Sequence, residues 1–242
     1  MRKLGIASVL ACGLFSMSAH AGFVKVDYIE EGDNRVVLHE ESGLEWLRLD
    51  ETTGMSLNQV KASLNGGELE GWRLPTESEV DNMIGEWFAS IPLNGGDYLR
   101  TDARTAYLSV TTDFIVTMGL TEYQDGKYNY AFSKGFFEAA EGVVVSGTVR
   151  ERNGGTSIAM YYMNGTDRYG FDADSVSSST GVFLVSDGGL TLSSVNDPSI
   201  NQNNPNSPYA NVSTPWSAAM LAMVMTGLGL RRKGRLNPAD CR

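Results

Sequence analysis

The sequence predicts an α+β domain, with two helices in its N-terminal half and antiparallel strands after them. The helices are indicated by two capping boxes, in which a hydroxyl residue is followed three positions later by Gln or Glu; these begin at Ser56 and Thr76. The strands are indicated by short segments rich in β-branched and aromatic residues, separated by Gly, Asn and Asp. This order of helices and strands is typical of the α+β class.

A β-hairpin is predicted ahead of the helices. Residues 35–39 and 44–49 have the composition of two short strands, and the second begins with alternation at Leu44 and Trp46. The turn between them falls on residues 41–43, which end in glycine. The two segments should therefore pair.

Both helices are predicted to bury one apolar stripe. The first begins after Ser56 and ends before Gly66 and Gly67. The second begins after Thr76, with Pro75 just ahead of it. Its apolar residues recur at i, i+3, i+4, i+7 and i+8, the spacing of a single buried face: Val80, Met83, Ile84, Trp87 and Phe88.

The second half of the chain is predicted to consist mainly of strands. Residues 105–118 are ambiguous, because they are rich in Thr and Val yet end at a glycine as a helix does. Strands are expected after them at residues 128–132, 142–150, 158–163 and 181–185.

The charge of the chain excludes one class of partner. Residues 22–216 contain 28 of the 29 acidic residues but only 12 of the 19 basic ones, a net charge of −16. Nucleic acids need a cationic surface, so we expect no nucleic-acid partner. Solubility is the simplest explanation of the acidic excess, and recruitment of divalent cations is the alternative.

The N-terminus is predicted to be a signal peptide, residues 1–21. Two basic residues precede an apolar run, and Ala19 and Ala21 supply the small residues of a cleavage site, with Gly22 as the first mature residue. The implied partners are the export machinery and signal peptidase. An uncleaved anchor and a lipidated Cys12 are alternatives; if cleavage occurs, the mature chain keeps Cys241 alone and forms no intrachain disulfide.

A flexible linker is predicted between the domain, residues 22–192, and the C-terminal segment. Residues 193–211 are rich in Asn, Ser and Pro and contain few apolar side chains. Such a composition buries too little surface to offset the entropy of an ordered chain. We therefore expect this segment to be extended and mobile.

The C-terminal segment has three parts. A short motif, Val212, Ser213, Thr214 and Pro215, is followed by an apolar helix over residues 216–230 and by a basic cluster that includes Arg231, Arg232 and Lys233. This layout over residues 212–235, followed by a tail at 236–242, resembles the PEP-CTERM sorting signal. The resemblance implies an exosortase-like enzyme as partner and delivery to the cell envelope or extracellular matrix, with transient or permanent membrane anchoring. A plain C-terminal anchor is the alternative.

Two local motifs carry a second resemblance. The first contains Gly43, Leu44 and Trp46, and the second contains Gly71, Trp72, Arg73, Leu74 and Pro75. Together with residues 181–185 they are similar to the C-terminal domain of the Legionella collagen-like adhesin, the Lcl C-terminal family. The resemblance implies a C-type-lectin-like fold and, from the adhesin member, binding of sulfated polysaccharide.

Residue chemistry suggests that the motif is structural. Trp46 and Trp72 are large rings flanked by apolar residues, so both should fill the core. For Arg73 the main interpretation is a fork that ties a loop to carboxylates, and ligand contact is the alternative.

The remaining residues offer weak candidates for a site. Tyrosines that could stack on neutral sugars are Tyr128, Tyr130, Tyr161, Tyr162 and Tyr169, although strand aromatics more often pack on cross-strand neighbours. The carboxylates of Asp172 and Asp174 are interpreted as a solvated turn, because the rest of an EF-hand loop is missing.

Catalysis has little support in the sequence. His39 is the only histidine after the signal peptide, and no nucleophile elbow, zinc motif or cofactor loop accompanies it. We therefore expect an exported, non-enzymatic protein without a cofactor, with matrix polysaccharide as its candidate ligand. The alternatives are a secreted glycoside hydrolase, which needs two carboxylates about 5 to 10 Å apart, and a plain membrane-anchored structural protein.

Overall fold

The computed structural model describes residues 22–89, 108–126, 129–141, 143–152, 155–163 and 172–210 of the 242-residue chain. Residues 1–21, the predicted signal peptide, and residues 212–242, the predicted sorting signal with its apolar helix and tail, lie outside these ranges. Within them, no helix is long and apolar enough to cross a membrane.

The described residues form a mixture of helices and mainly antiparallel strands, which confirms the α+β class. The helices are α1 (Leu57–Ser63), α2 (Glu77–Trp87), α3 (Leu108–Met118) and α4 (Leu192–Asn196), with 3-10 helices at Leu49–Thr52 and Pro198–Asn201. The strands are β1 (Phe23–Val26), β2 (Val36–His39), β3 (Leu44–Leu47), β4 (Glu122–Gln124), β5 (Tyr130–Ala140), β6 (Val143–Arg152), β7 (Gly155–Met163), β8 (Gly181–Val182) and β9 (Val185–Ser186).

The first sheet is antiparallel and has the strand order β1-β2-β3-β9. Its centre is the predicted hairpin, in which Val37 of β2 faces Trp46 of β3. The turn residue Gly43 has a φ of +69°, a conformation that favours glycine. The hairpin prediction is confirmed.

Both predicted capping boxes are formed. The Ser56 hydroxyl accepts a hydrogen bond from the backbone N–H of Gln59, and Thr76 does the same for Glu79. In each box the Gln or Glu side chain accepts in return from the backbone N–H of the capping residue. The ambiguous segment is helical as α3, and its apolar face packs on the core because Phe114, Ile115 and Met118 are buried.

The second sheet has the order β4-β5-β6-β7, with β8 pairing in parallel with β5. The strands predicted over residues 128–163 are present, and β5 is longer than predicted. The single strand predicted at 181–185 is instead two short strands, β8 in the second sheet and β9 in the first. Phe183 and Leu184 between them are buried, so this segment crosses the core and joins the two sheets.

The flexible linker predicted at 193–211 differs from the structure over residues 193–210. That stretch forms α4, a 3-10 helix and turns, and it packs on the first sheet. Four polar side chains in it are buried, Ser194, Asn201, Asn204 and Ser207. Here hydrogen bonds to distant backbone groups hold a segment that has few apolar residues, so the folded domain extends to residue 210.

Candidate functional site

The two halves of the sequence motif meet at β9. Val185 pairs with Trp46 of β3 on one side, and on the other side it exchanges two backbone hydrogen bonds of 2.9 Å with Arg73. The structure therefore brings together segments that are distant in sequence. Gly71, at a φ of +90°, leaves room for the side chain of Leu190, which would be 2.9 Å from an added Cβ.

Both motif tryptophans are buried, as predicted. Trp46 is 1% exposed and lies edge-on to Phe183. Trp72 is 3% exposed, and its Nε1–H donates to the hydroxyl of Tyr28 at 2.9 Å. Large rings in these positions contribute to folding rather than to a binding surface.

Arg73 is bound to two carboxylates. Its guanidinium donates to both oxygens of Glu79, at 2.9 and 2.7 Å, and to both oxygens of Asp187, at 3.0 Å each. Asn204 also donates to Asp187, at 3.0 Å. The fork predicted for Arg73 is therefore present: it ties the start of α2 to β9 and the C-terminal segment.

The two carboxylates around Arg73 are held in their charged form. Hydrogen bonds from Arg73 lower the pKa of Asp187, and burial opposes this only in part. Burial raises the pKa of Glu79, but hydrogen bonds from Arg73 and Thr76 outweigh it, so that pKa is also lowered. A general acid for glycoside hydrolysis needs a raised pKa, so this pair is unsuited to that role.

Glu45 is a buried acid that the sequence analysis did not single out. It is fully buried, and its Oε1 accepts from the Thr191 hydroxyl at 2.6 Å. Burial raises the pKa of the Glu45 carboxyl. Among the described residues, its Oε2 has no aligned hydrogen-bond partner. The only sequence signal was its place between Leu44 and Trp46 on a buried strand.

One face of the second sheet combines aromatic and cationic side chains; we call Tyr130, Phe132, Lys134 and Arg150 the aromatic face. The rings of Tyr130 and Phe132 are stacked with centroids 5.7 Å apart, and Lys134 Nζ lies 4.1 Å from the Phe132 centroid. Arg150 is the cross-strand partner of Phe132, and its Cζ lies 5.9 Å from the Tyr130 centroid. Lys134 is ion-paired with Glu122.

Arg150 differs from Lys134 because its Nε is buried and has no aligned acceptor among the residues that the structure describes. Of the other tyrosines singled out, Tyr161 and Tyr162 lie in β7, while Tyr128 and Tyr169 fall outside the described residues. Sequence reasoning found Tyr130 but missed Arg150, whose pairing with Phe132 depends on strand register.

Two groups of side chains offer ligand atoms for a cation. Asp172 accepts hydrogen bonds from the backbone N–H of Asp174 and from the Ser175 hydroxyl, which is the exposed turn that was predicted. His39, Glu41 and Glu86 are the second group, and their ligand atoms lie within 4.8 Å of one another. No sequence pattern indicated this group, since Glu86 lies on α2 and the other two residues lie on the hairpin.

Comparison of the chain with protein-family models, with curated proteins and with solved structures finds no match in any of the three.

Proposed function

We propose that this chain is an exported, non-enzymatic protein of the cell envelope or extracellular matrix, and that its domain binds polysaccharide through the aromatic face. The observation that carries the proposal is the pairing of Tyr130 with Arg150, a partly exposed cation whose Cζ lies 5.9 Å from the ring centroid. Its Nε is buried, so a ligand meets the exposed part of this side chain, where a guanidinium has further donors.

The chemistry of the aromatic face suits a sugar. The apolar face of a pyranose ring stacks on aromatic side chains, and its hydroxyl oxygens accept hydrogen bonds from a guanidinium. Tyr130 and Arg150 are both partly exposed. The net charge of −16 over residues 22–216 repels strongly anionic chains, so the expected ligands are neutral or amino sugars.

The proposed fold relationship is to the Lcl C-terminal family with its C-type-lectin-like fold. Its support is the pairing of the three motif segments around Val185, because residues that resemble a family signature are here in mutual contact. The same resemblance makes matrix polysaccharide the proposed ligand class. On this proposal the motif residues maintain the fold and the second sheet provides the binding surface.

A secreted hydrolase is the competing proposal. Among the described residues, the carboxylates of Glu79 and Asp187 converge on one point, but both are bound by Arg73 and both have lowered pKa values. That geometry favours a structural role for Glu79 and Asp187, so polysaccharide binding is the activity that we propose.

Glycan binding by the purified full chain tests the proposal. A glycan array, probed with and without calcium, should give weak signals on neutral or amino sugars and none on heparin-like chains at physiological salt. Tyr130→Leu and Arg150→Met should each abolish the signal. Tyr123→Leu is the matched control: Tyr123 is 59% exposed and pairs with Ala131, so it lies on the opposite face of the same sheet. Equal losses in the control, or tight calcium-independent capture of heparin-like glycans, would contradict the proposal.

The proposed export and C-terminal processing are tested separately. If the signal peptide is removed and the tail is processed, the mature protein should begin at Gly22, and its peptides should end near Pro215. N-terminal sequencing and mass spectrometry of surface protein measure both ends. Recovery of peptides from Arg231 onward on mature surface protein would instead indicate a plain membrane anchor.

A further inference from the structure

The geometry points to a binding site for a divalent first-row transition-metal ion at His39, Glu41 and Glu86, where it would clamp the β2–β3 turn to the last turn of α2. The group combines one imidazole nitrogen with two carboxylates, and the ligand atoms lie within 4.8 Å of one another. The inference is independent of the proposed polysaccharide binding, because these residues lie outside the aromatic face.

The His39 ring is held in a fixed orientation. The residue is 7% exposed, and its ring stacks on Phe23 with centroids 4.4 Å apart. Phe23 in turn stacks on Trp87 of α2. The ring therefore cannot turn away without disturbing packing between β1 and α2.

The second nitrogen of the ring has the partner that a metal ligand needs. Nδ1 of His39 lies 2.7 Å from Oγ of Ser42, and the same oxygen accepts from the backbone N–H of Leu44 at 3.2 Å. A hydroxyl oxygen can accept both bonds, in which case Nδ1 carries the ring proton. Metal-binding histidines typically donate their other ring N–H in this way, which leaves Nε2 with a lone pair.

The contact between His39 and Glu86 supports this tautomer. Nε2 of His39 lies 2.7 Å from Oε2 of Glu86, a distance that by itself would suit an ion pair. Both atoms are buried, yet neither has an aligned hydrogen bond among the described residues. The two atoms are thus close enough for a hydrogen bond but are not aligned for one. Two facing lone pairs are repulsive, and a cation bound to both relieves the repulsion.

The spacing also indicates the kind of ion. Nitrogen and oxygen ligands lie about 2.1 Å from zinc and similar ions, so two ligand atoms 2.7 Å apart subtend an angle of about 80° at such an ion. That angle is close to the 90° between neighbouring ligands of an octahedral site. One imidazole with two carboxylates suits first-row transition metals, whereas calcium and magnesium prefer all-oxygen ligands. Glu41 is exposed and leaves room for water as the remaining ligands.

Titration of the untagged full chain with Ni²⁺, Co²⁺ or Zn²⁺ tests the inference, with Mg²⁺ as the control ion. Calorimetry should show binding to the chain, and the melting temperature should rise with metal concentration, because an ion that binds the folded state stabilises it. Glu41→Gln and Glu86→Gln should each weaken binding by about tenfold or more, as should Ser42→Ala, which removes the partner of Nδ1. Glu40→Gln removes one exposed charge beside the site and should change affinity by less than about threefold.

A second measurement observes His39 directly and so distinguishes metal bound at His39 from metal bound at Cys12 or Cys241. In a chain carrying His20→Gln, His39 is the single histidine, so long-range ¹H–¹⁵N spectra report one imidazole. The expected result is a proton on Nδ1 and a large change of the Nε2 signal on addition of one equivalent of Zn²⁺. A proton on Nε2 whose signal does not respond to metal, or equal weakening by Glu40→Gln and Glu41→Gln, would overturn the inference.

Discussion

Arg73 and Arg150 have different surroundings: Arg73 lies between two carboxylates, whereas Arg150 lies beside an aromatic ring. Arg73 lies in the sequence motif, and its guanidinium is bound by Glu79 and Asp187. Arg150 lies on the second sheet, and its Nε has no aligned acceptor among the described residues. The motif that resembles a family signature therefore consists of residues that hold the first sheet together, whereas the charged group without an aligned acceptor at its Nε lies on the second sheet.

The two regions also differ in how their side chains are stabilised. In the motif, the rings of Trp46 and Trp72 are buried and the charges are paired, so each residue depends on several others. On the aromatic face, the contacts are stacking of Tyr130 on Phe132 and of cations on the two rings. Substitutions should therefore change stability in the motif and binding on the aromatic face.

The largest effect is expected at Trp72. Trp72→Ala should lower the free energy of unfolding by about 3 to 5 kcal/mol, because it removes a buried ring and leaves a cavity. Urea unfolding followed by circular dichroism measures this change. Trp72→Phe keeps most of the ring but loses the hydrogen bond to Tyr28, so its cost should be smaller. An unchanged melting temperature with lost glycan binding would mean that Trp72 serves binding and not stability, contrary to the roles assigned to the two regions.

The C-terminal segment should show the next largest effect. Asn201 is fully buried and donates to the backbone carbonyl of Gly43 at 2.8 Å. Asn201→Ala should cost about 1 to 3 kcal/mol, because that carbonyl loses its buried partner. Asn203→Ala, at an exposed position nearby, should change stability by less than about 0.5 kcal/mol. If the two variants are equally stable in denaturant titrations, residues 193–210 do not belong to the cooperative fold.

A moderate and pH-dependent effect is expected at Arg73. Arg73→Met should cost about 1 to 2 kcal/mol at pH 7, less than for a fully buried ion pair because its side chain is 34% exposed. The folded-state pKa values of Glu79 and Asp187 are lowered from their ordinary values of 4.5 and 3.8. Their stabilising contribution is therefore present above those values and is lost as pH falls below them.

The stability difference between wild type and Arg73→Met should accordingly be constant above about pH 5 and shrink below about pH 4. Denaturant unfolding at a series of pH values measures it. Arg35→Met is the control, because Arg35 pairs with one carboxylate, Glu51, and its side chain is 39% exposed. If the stability difference between wild type and Arg73→Met does not change with pH, the two paired carboxylates are not its cause.

The smallest effect on stability is expected at Arg150. Arg150→Met keeps an apolar stem on the sheet and removes a cation whose contact with Tyr130 is at the outer range of cation–π distances, so unfolding should change by less than about 0.5 kcal/mol. Thermal unfolding of both chains checks this. A loss as large as that at Arg73 would mean that Arg150 is also a structural residue, and the proposed binding role of the aromatic face would fail.

Local signals predicted the elements that depend on near neighbours. The capping boxes at Ser56 and Thr76 need only residues three positions away, and both are formed. The apolar stripe of α2 and the burial of Trp46 and Trp72 were predicted because large apolar groups leave water wherever the fold places them. The α+β class follows from the same local patterns.

Local patterns in the chain are thus enough to predict the class of the fold, its first hairpin and helices, and the core role of the motif. They do not predict that residues 181–185 divide between two sheets or that residues 193–210 belong to the domain. These two features depend on bonds between residues far apart in the chain, such as Asn201 with Gly43 and Thr191 with Glu45. The same is true of the approach of His39 to Glu86. No local sequence pattern predicts such contacts, because they stabilise the protein only after the chain has brought the two segments together.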